Sequence, residues 1–305
     1  MDNVTHTLTG VALAQSGLGR RSRGALAALV LASNLPDIDC LFGLEGTAAY
    51  LQHHRDLSHS VVGAPLLALA LAAALRLFLK GSRFLDLLAA ALAGVTAHVF
   101  MDLWTSYGTR VFSPFDRTFY TWDLVFIVDP VILVLLLATV LLARRPALGT
   151  RAATVGLGLV LAYVGARAVL HARAVDELVA RVPGGHVLRA AALPSPLDPF
   201  AWRVIADTGP AYWTGEVRLN AGAAPLHRRD KASETEAVSR ARASSEIAAI
   251  FLAFSTFPWL EVTETPEGTA VTWRDLRFER PGRDSFVTRV IVGPDGRIRS
   301  QGFRF

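Results

Sequence analysis

Residues 53–60 of this chain read His-His-Arg-Asp-Leu-Ser-His-Ser, with three imidazoles, one carboxylate and two hydroxyl groups in succession. An apolar run begins directly afterwards and covers residues 61–79, where Arg76 is the single charged residue. Ionisable groups are costly inside a membrane, and those that occur there usually serve a function. A dense polar cluster beside a run long enough to cross a bilayer therefore indicates a functional site in a membrane protein.

Two further polar clusters interrupt apolar runs on either side of this stretch. Upstream, Asp37 and Asp39 lie near the end of one run, although Pro-Asp at a helix end could be simply a stop signal. Downstream, His98 and Asp102 are four residues apart, so they share one face of a helix. Alone, this pair could equally be a hydrogen-bonded His and Asp. Together with the other clusters, its spacing predicts metal ligation, as in helical zinc motifs.

The composition divides the chain into a membrane part and a soluble part. Hydrophobic residues make up 52% of the chain and charged residues 19%, with a mean hydropathy of +0.37. Before residue 172 the charges form short patches between apolar runs, whereas after it they are scattered. We therefore predict three segments, namely a membrane helical domain at 1–171, a linker at 172–200 and a soluble α+β domain at 201–305.

The fold class predicted is mainly α, a polytopic transmembrane helical bundle followed by the soluble α+β domain. A short helix is expected at residues 4–18, and Pro36 should end or kink the helix that contains it. Five spans are expected, at residues 25–42, 61–79, 85–104, 124–143 and 152–170. In the tail, strands are expected at 202–207, 212–219, 269–278, 285–292 and 297–305, with a helix at 233–254.

Basic patches between the apolar runs suggest an orientation. They lie at residues 20–23, 80–83 and 144–151, and all three fall on one side if the five runs cross the membrane. Short basic loops face the cytoplasm, so the polar clusters and the soluble domain are predicted on the opposite side. His6 is expected on the same side as the polar clusters if the first helix runs from that side toward the cytoplasm. The expected site lies at the outer leaflet, with the C-terminal domain extracytoplasmic.

The ligand types restrict the metal. Cys40 is the single cysteine, which excludes an intrachain disulfide and a cysteine-based zinc site. Imidazole and carboxylate ligands suit zinc, manganese or iron. His54 and His59 are favoured as ligands, while His53 and Asp129 have even odds of joining the site. Arg55 could neutralise an anionic substrate or pair with Asp39.

In this arrangement the chain resembles the membrane-bound metal-dependent hydrolase family of bacteria, also called the YdjM type. The resemblance covers residues 2–130 in order. It rests on the motifs Asp2-Asn-Val-Thr-His6-x-x-x-Gly10, Leu35-Pro-Asp37-Ile-Asp39, His54-Arg55-x-x-Ser58-His59-Ser60, His98-x-x-x-Asp102-x-x-Thr105-x-Tyr107-Gly108, Pro114-Phe115 and Val128-Asp129-Pro130. A fainter resemblance is to the helical zinc phospholipase C and nuclease type, whose further His and Glu ligands this chain lacks.

What the family resemblance implies is a multi-pass hydrolase of the bacterial inner membrane. The implied metal-site positions are His6, Asp37, Asp39, His54, His59, His98 and Asp102. The soluble tail is similar to a C-terminal extension that some members carry.

The function expected is metal-dependent hydrolysis of a lipid or lipid-linked substrate, and phosphoesters are one substrate class considered. One or two divalent metal ions are expected, and zinc is the first choice. Asp37 or Asp39 would bridge metals or act as general base, and Arg55 would hold an anionic group. No nucleic-acid partner is expected. The main alternative is a non-catalytic membrane scaffold with a structural metal or polar site. A proton-coupled transporter is less favoured, because its ionisable groups should follow a path across the membrane.

Overall fold

The computed structural model describes residues 1–279 and 285–305. These residues form two compact units, each described by itself below. The first unit comprises Met1–Asp39, Arg55–Arg173 and Leu193–Trp202, and the second comprises Cys40–His54, Ala174–Ala192 and Arg203–Phe305.

The first unit is built from helices whose ends follow from local sequence signals. Asp2 caps the first helix, because its Oδ1 accepts hydrogen bonds from the amides of Val4 and Thr5 at 3.1 and 3.0 Å. The helices of the membrane part are α1 (Asn3–Gln15), α2 (Ala25–Ala32), α3 (Thr47–His53), α4 (Gly63–Phe78), α5 (Phe84–Leu103), α6 (Pro130–Ala143) and α7 (Gly149–Arg181). Of these, α3 belongs to the second unit, and α7 continues from the first into the second.

The described residues offer two to four candidate spans instead of the five predicted. Helices α5 and α7 are long and apolar enough to cross a membrane by themselves. Two further candidates are bent pairs: Ala25–Ala32 with Leu35–Glu45, at 41°, and Thr47–His59 with Gly63–Phe78, at 72°. The first bend lies at residues 33–34, shortly before Pro36, where the sequence predicts an interruption.

In the predicted span at 124–143, the helix that forms is shorter than the apolar run. Helix α6 begins only at Pro130, because the Asp129 carboxylate caps it by accepting from the amides of Val131 and Ile132. Its 14 residues give a length of about 21 Å, at 1.5 Å per residue. A hydrocarbon core of about 30 Å is longer than that, so α6 is a short apolar helix in this structure.

Small residues allow the helices of the first unit to approach closely. Helix α5 packs against both α2 and α4, and α1 packs against α2 and α6. A Cβ atom on Gly94 of α5 would lie 2.6 Å from the Ala32 Cβ and 2.8 Å from the Leu29 carbonyl oxygen. Glycine is therefore required where α5 crosses α2.

The three basic patches meet at one end of the first unit. The Arg83 amide donates to the Ser22 hydroxyl at 3.3 Å, which joins the patches at 20–23 and 80–83. The Gln15 side chain donates to the Val140 carbonyl at 3.2 Å, so the end of α1 lies beside the end of α6, directly before the third patch. His6, His98 and Asp102 lie toward the other ends of their helices.

The C-terminal part of the chain forms an α/β domain with two sheets, which confirms the predicted C-terminal domain in its class. The strands are β1 (Arg189–Pro194), β2 (Ala201–Asp207), β3 (Ala211–Arg218), β4 (Gly222–Ala223), β5 (His227–Asp230), β6 (Pro258–Thr265), β7 (Gly268–Asp275), β8 (Val287–Val292) and β9 (Ile298–Arg304). One sheet has the order β1-β2-β3-β4 with β5 beside β3, and the other has the order β6-β7-β8-β9.

Two helices pack against the second sheet. The helix predicted at 233–254 is divided into α8 (Glu236–Ser244) and α9 (Glu246–Phe254). The division occurs because Ser245 leaves the helical conformation and caps α9, its hydroxyl accepting from the Ala248 amide at 3.2 Å. Both helices contact β8, and this places the apolar side chains of Val238 and Phe251 in the core.

Candidate metal centre

Four side chains of the first unit direct one ligand atom each toward a common point. They are Asp37, His59, His98 and Asp102. The two histidine Nε2 atoms are 3.1 Å apart. Asp37 Oδ1 lies 3.5 Å from each of these nitrogens, and Asp102 Oδ2 lies 3.3 Å from His59 and 3.4 Å from His98.

These separations fit a single four-coordinate metal ion. Zinc binds imidazole nitrogen and carboxylate oxygen at about 2.0–2.2 Å in tetrahedral sites. A tetrahedron with such bonds has edges of roughly 3.3–3.6 Å between ligand atoms. Five of the six separations between the ligand atoms are 3.1–3.5 Å and have this size before any ion is considered. The sixth, between Asp37 and Asp102, is no more than 4.8 Å.

The hydrogen bonds on the far sides of the two imidazoles determine which nitrogen faces the centre with a lone pair. His98 Nδ1 lies 2.8 Å from the Ser33 carbonyl oxygen, which can only accept, so Nδ1 is the donor. His59 Nδ1 lies 3.2 Å from Asp39 Oδ2. A neutral imidazole that donates through Nδ1 presents a lone pair at Nε2. Two lone pairs and two carboxylate oxygens thus converge, and a cation is the partner that stabilises them.

Burial strengthens this electrostatic argument. The side chains of His59, His98 and Asp102 have no solvent exposure, and that of Asp37 is 11% exposed. Asp102 Oδ2 has no hydrogen-bond partner among the described residues. A buried carboxylate oxygen without a partner is costly, and a bound metal ion would remove that cost. Asp37 marks the side on which the centre can be reached.

Two short 3₁₀ segments bring their ligands to α5. Asp37 lies in the segment Leu35–Glu45, directly after α2, and His59 ends the segment Leu57–His59. The turn into α4 then requires glycine, because a Cβ atom on Gly63 would lie 1.8 Å from the Leu57 carbonyl oxygen. His98 and Asp102 come from consecutive turns of α5, as their spacing predicts.

Asp39 contacts the opposite nitrogen of His59 from the one that faces the centre. Its Oδ2 also accepts from the Arg55 amide at 2.9 Å and from the Ser58 hydroxyl at 2.6 Å. Carboxylates in this position fix the tautomer and the ring orientation of metal-binding histidines. Asp39 stays a candidate ligand, as the sequence predicts, and within the first unit it is also placed to orient His59.

Arg55 is buried and binds the second oxygen of Asp102. Its Nη2 lies 2.9 Å from Asp102 Oδ1, and its Nη1 donates to the Thr105 hydroxyl at 3.1 Å. The guanidinium also lies over the Tyr107 ring, 5.1 Å from its centroid. The sequence left two roles open for Arg55, neutralising an anionic substrate or pairing with Asp39. The Arg55 side chain pairs with Asp102, while its backbone amide donates to Asp39. Thr105 and Tyr107 are supporting residues that appeared in the family pattern without an assigned role.

His6 lies beside the centre without filling one of its four corners. Its ring stacks on that of His98, with centroids 3.8 Å apart, and its Nε2 is 3.4 Å from Asp102 Oδ1. The amino group of Met1 contacts the same oxygen. Both ring nitrogens of His6 are buried, and neither has a hydrogen-bond partner within the described ranges. His6, a metal-site position implied by the family resemblance, therefore lies beside Asp102 and His98 but outside the group of four.

Three further candidates, His53, His54 and Asp129, have contacts within their own units. His53 and His54 belong to the second unit, where they stack on Phe42 and Tyr50 with centroid distances of 4.4 and 4.6 Å. Asp129 acts as the cap of α6 and accepts from the Tyr163 hydroxyl at 3.2 Å. The sequence allowed Asp129 to be either a helix cap or a member of the site, and the structure shows it as the cap of α6.

Comparison with known proteins gives two family matches, one in the N-terminal part of the chain and one in the C-terminal part. Residues 1–174 match the family described as YdjM inner membrane protein. Residues 236–303 match the YfhP C-terminal alpha/beta plait domain, which corresponds to α8, α9 and β6–β9. The uncharacterized protein YfhP of Bacillus subtilis (strain 168) is 29% identical over 315 residues, which cover 98% of this chain and 94% of that protein. Solved structures include no significant match.

Proposed function

This chain belongs to the YdjM inner membrane protein family, and from that premise we propose that it is a metal-dependent hydrolase of the bacterial inner membrane. Its metal ion would be held by Asp37, His59, His98 and Asp102. The observation that carries the proposal is the convergence of their four ligand atoms, all within 4.8 Å of one another and five of their six separations between 3.1 and 3.5 Å. Two imidazoles and two carboxylates suit zinc first, with manganese and iron as alternatives.

The chemistry divides between the ion and the chain. A divalent ion at this centre would supply Lewis acidity and lower the pKa of a bound water molecule. The Ser33 carbonyl and Asp39 hold the two imidazoles in orientation. Asp37, the ligand with solvent exposure, can accept a proton from a nucleophilic water. Arg55 neutralises Asp102 and fixes its second oxygen, so its role is to position that ligand.

Exposed apolar side chains near the ligands favour a lipid or lipid-linked substrate. Ile38 adjoins Asp37 and is 50% exposed, and Leu57 and Val61 flank His59 with exposures of 53% and 52%. Exposed apolar groups around a buried polar centre fit an amphiphile, whose acyl chains contact the rim while its head reaches the ions. An ester or phosphoester in the head group would be the bond hydrolysed, at the outer leaflet.

A non-catalytic scaffold is the second candidate, and one observation favours it. Four protein ligands can complete the coordination of a zinc ion, as in structural sites, whereas catalytic sites keep a position for water. In that case the centre would stabilise the helical unit, and the protein would act by binding a partner.

Metal content is the first measurement. Plasma mass spectrometry on detergent-purified protein should find about one ion per chain. His98→Ala should lose it, because one corner of the tetrahedron disappears. His186→Ala is the matched control, since His186 is exposed in the second unit. A wild-type protein that takes up no metal, even after reconstitution with zinc, manganese or iron, would overturn the proposal.

Turnover separates the hydrolase from the scaffold. Metal-free and metal-loaded protein would be assayed in mixed micelles on phosphatidic acid, phosphatidylglycerol and nitrophenyl esters. A hydrolase should require metal and lose most turnover in Asp37→Asn. A scaffold should bind the ion, unfold at a lower temperature when it is removed, and release no product from any substrate.

A further inference from the structure

The sheet β6-β7-β8-β9 has one face covered by helices and one open face. Helices α8 and α9 pack on the side where Thr288, Val290 and Val292 of β8 are buried. The alternate residues of the same strand point the other way, and among these Arg289 is exposed. The open face is therefore the side on which Arg289 lies.

Strand register gathers three arginines on this open face. Arg274, Val287 and Arg304 are direct partners across β7, β8 and β9, and Arg289 occupies the next row, opposite Thr272. Strands are about 4.8 Å apart, so Arg274 and Arg304 are roughly 10 Å from each other. Like charges at such spacing repel. An arrangement of this kind is typical of a site for an anion.

Nearby carboxylates neutralise these arginines only in part. Arg274 Nε lies 3.7 Å from Glu261 Oε2 on the neighbouring strand β6. Arg289 and Arg304 form no ion pair with a residue in the ranges 1–279 and 285–305. Their guanidinium groups carry the net positive charge of this face.

A cavity lies over the same residues. It has a volume of about 370 Å³ and is lined by Arg274, Arg289 and Arg304 together with polar groups that include Thr272, Ser300 and Gln301. A second cavity, of about 490 Å³, shares Arg289 and Ser300 with the first, but its lining includes the Glu267 carboxylate, so the anion site is assigned to the first. These volumes suit a small ligand or a head group.

The geometry points to a binding site for the phosphate head group of an anionic phospholipid on this open face. Guanidinium groups bind phosphate oxygens in a bidentate manner, and Ser300 and Thr272 can add hydrogen bonds. Membership of an inner membrane protein family tethers the domain near lipid, and phosphate head groups are the lipid chemistry that arginine side chains bind. A head-group-sized cavity fits this occupant better than a polymer. The site is separate from the metal centre and does not depend on it.

Short-chain lipids provide the test. Full-length protein in detergent would be titrated with dihexanoyl-phosphatidylglycerol and with dihexanoyl-phosphatidylcholine, by microscale thermophoresis, in the presence of a chelator. Phosphatidylglycerol should bind at least about tenfold more tightly, and Arg289→Gln with Arg304→Gln should remove at least about tenfold of that affinity. Arg242→Gln is the matched control, because Arg242 is exposed on α8 and paired with Glu234; it should bind as wild type does.

Several outcomes would overturn the inference. Equal affinity for the two lipids would remove the anion preference, and an unchanged affinity in the double variant would move the site elsewhere. Glycerol phosphate binding as tightly as the lipid would indicate a site for a free phosphate, and tighter binding of a single-stranded oligonucleotide would indicate nucleic acid. Thermal unfolding of each variant serves as the folding control, and the single variant Arg304→Gln replaces the double one if that unfolds. The variant that lacks both arginines should keep the metal content of the wild type and its turnover of nitrophenyl esters.

Discussion

The role of Asp39 shows how one side chain acts through another. Its Oδ2 accepts from the Ser58 hydroxyl and the Arg55 amide and faces His59 Nδ1. The lone pair of His59 Nε2 is thereby directed at the centre. This geometry predicts that Asp39 acts as a positioning residue for His59 at the candidate metal centre.

Replacing this carboxylate tests the positioning role. In Asp39→Asn, metal affinity should fall about 10- to 100-fold while stoichiometry at saturating metal is kept. Competition with a chromophoric chelator measures the affinity. Asp86→Asn, in the first turn of α5, is the control and should bind metal as wild type does. Unchanged affinity in Asp39→Asn would contradict the role, and a lost equivalent of metal would make Asp39 itself a ligand.

At the scale of elements, the crossing of α2 and α5 decides whether the centre forms. Gly94 allows α5 to approach the Ala32 Cβ and the Leu29 carbonyl oxygen. One turn later, this closeness brings His98 Nδ1 within 2.8 Å of the Ser33 carbonyl oxygen. Helix packing and ligand orientation therefore depend on the same contact.

A methyl group at this crossing should separate the helices. Gly94→Ala should destabilise the protein by about 1–3 kcal/mol through overpacking and should weaken metal binding. Gly158→Ala on α7 is the matched control, since no atom lies within 4 Å of its Cβ position. There the greater helix propensity of alanine should leave stability equal or higher by up to about 1 kcal/mol. Thermal unfolding and metal content measure both variants; equal effects of the two changes would contradict the packing argument.

For the whole molecule, the arrangement of charges predicts the orientation. The patches at 20–23 and 80–83 are joined by the contact between Arg83 and Ser22, and the third patch follows α6 at the same end. The positive-inside rule assigns this end to the cytoplasm and the metal centre to the other side. The soluble domain is expected on the side of the centre.

Fusion proteins test this orientation. Alkaline phosphatase joined after Phe305 should be active, and green fluorescent protein at the same point should not fluoresce. Fusions made after Ser82, in the basic turn between α4 and α5, should behave in the opposite way. Fluorescence of the C-terminal fusion would place the soluble domain in the cytoplasm. The number of membrane crossings between the basic turn at Ser82 and the C-terminus would then be even instead of odd.

The sequence by itself determined the broad class of this protein and the residue types of its candidate metal centre. The apolar runs indicate a membrane protein, the C-terminal periodicities predict strands and helices, and the spacing of His98 and Asp102 puts two candidate ligands on one helical face because 3.6 residues make a turn. Asp37 and His59 were chosen as ligands for the same chemical reason, the cost of ionisable groups in apolar surroundings.

The tertiary structure decided what depends on contacts between distant residues. Whether a carboxylate faces Nε2 or Nδ1 of His59, as Asp37 and Asp39 do respectively, depends on how the two 3₁₀ segments turn. Whether an apolar run becomes a span depends on where capping begins it, as Asp129 does for α6. The arginine face of β7–β9 depends on strand register, which pairs residues far apart in the chain. Local periodicity carries no information on such pairings, because they are fixed only when the elements pack.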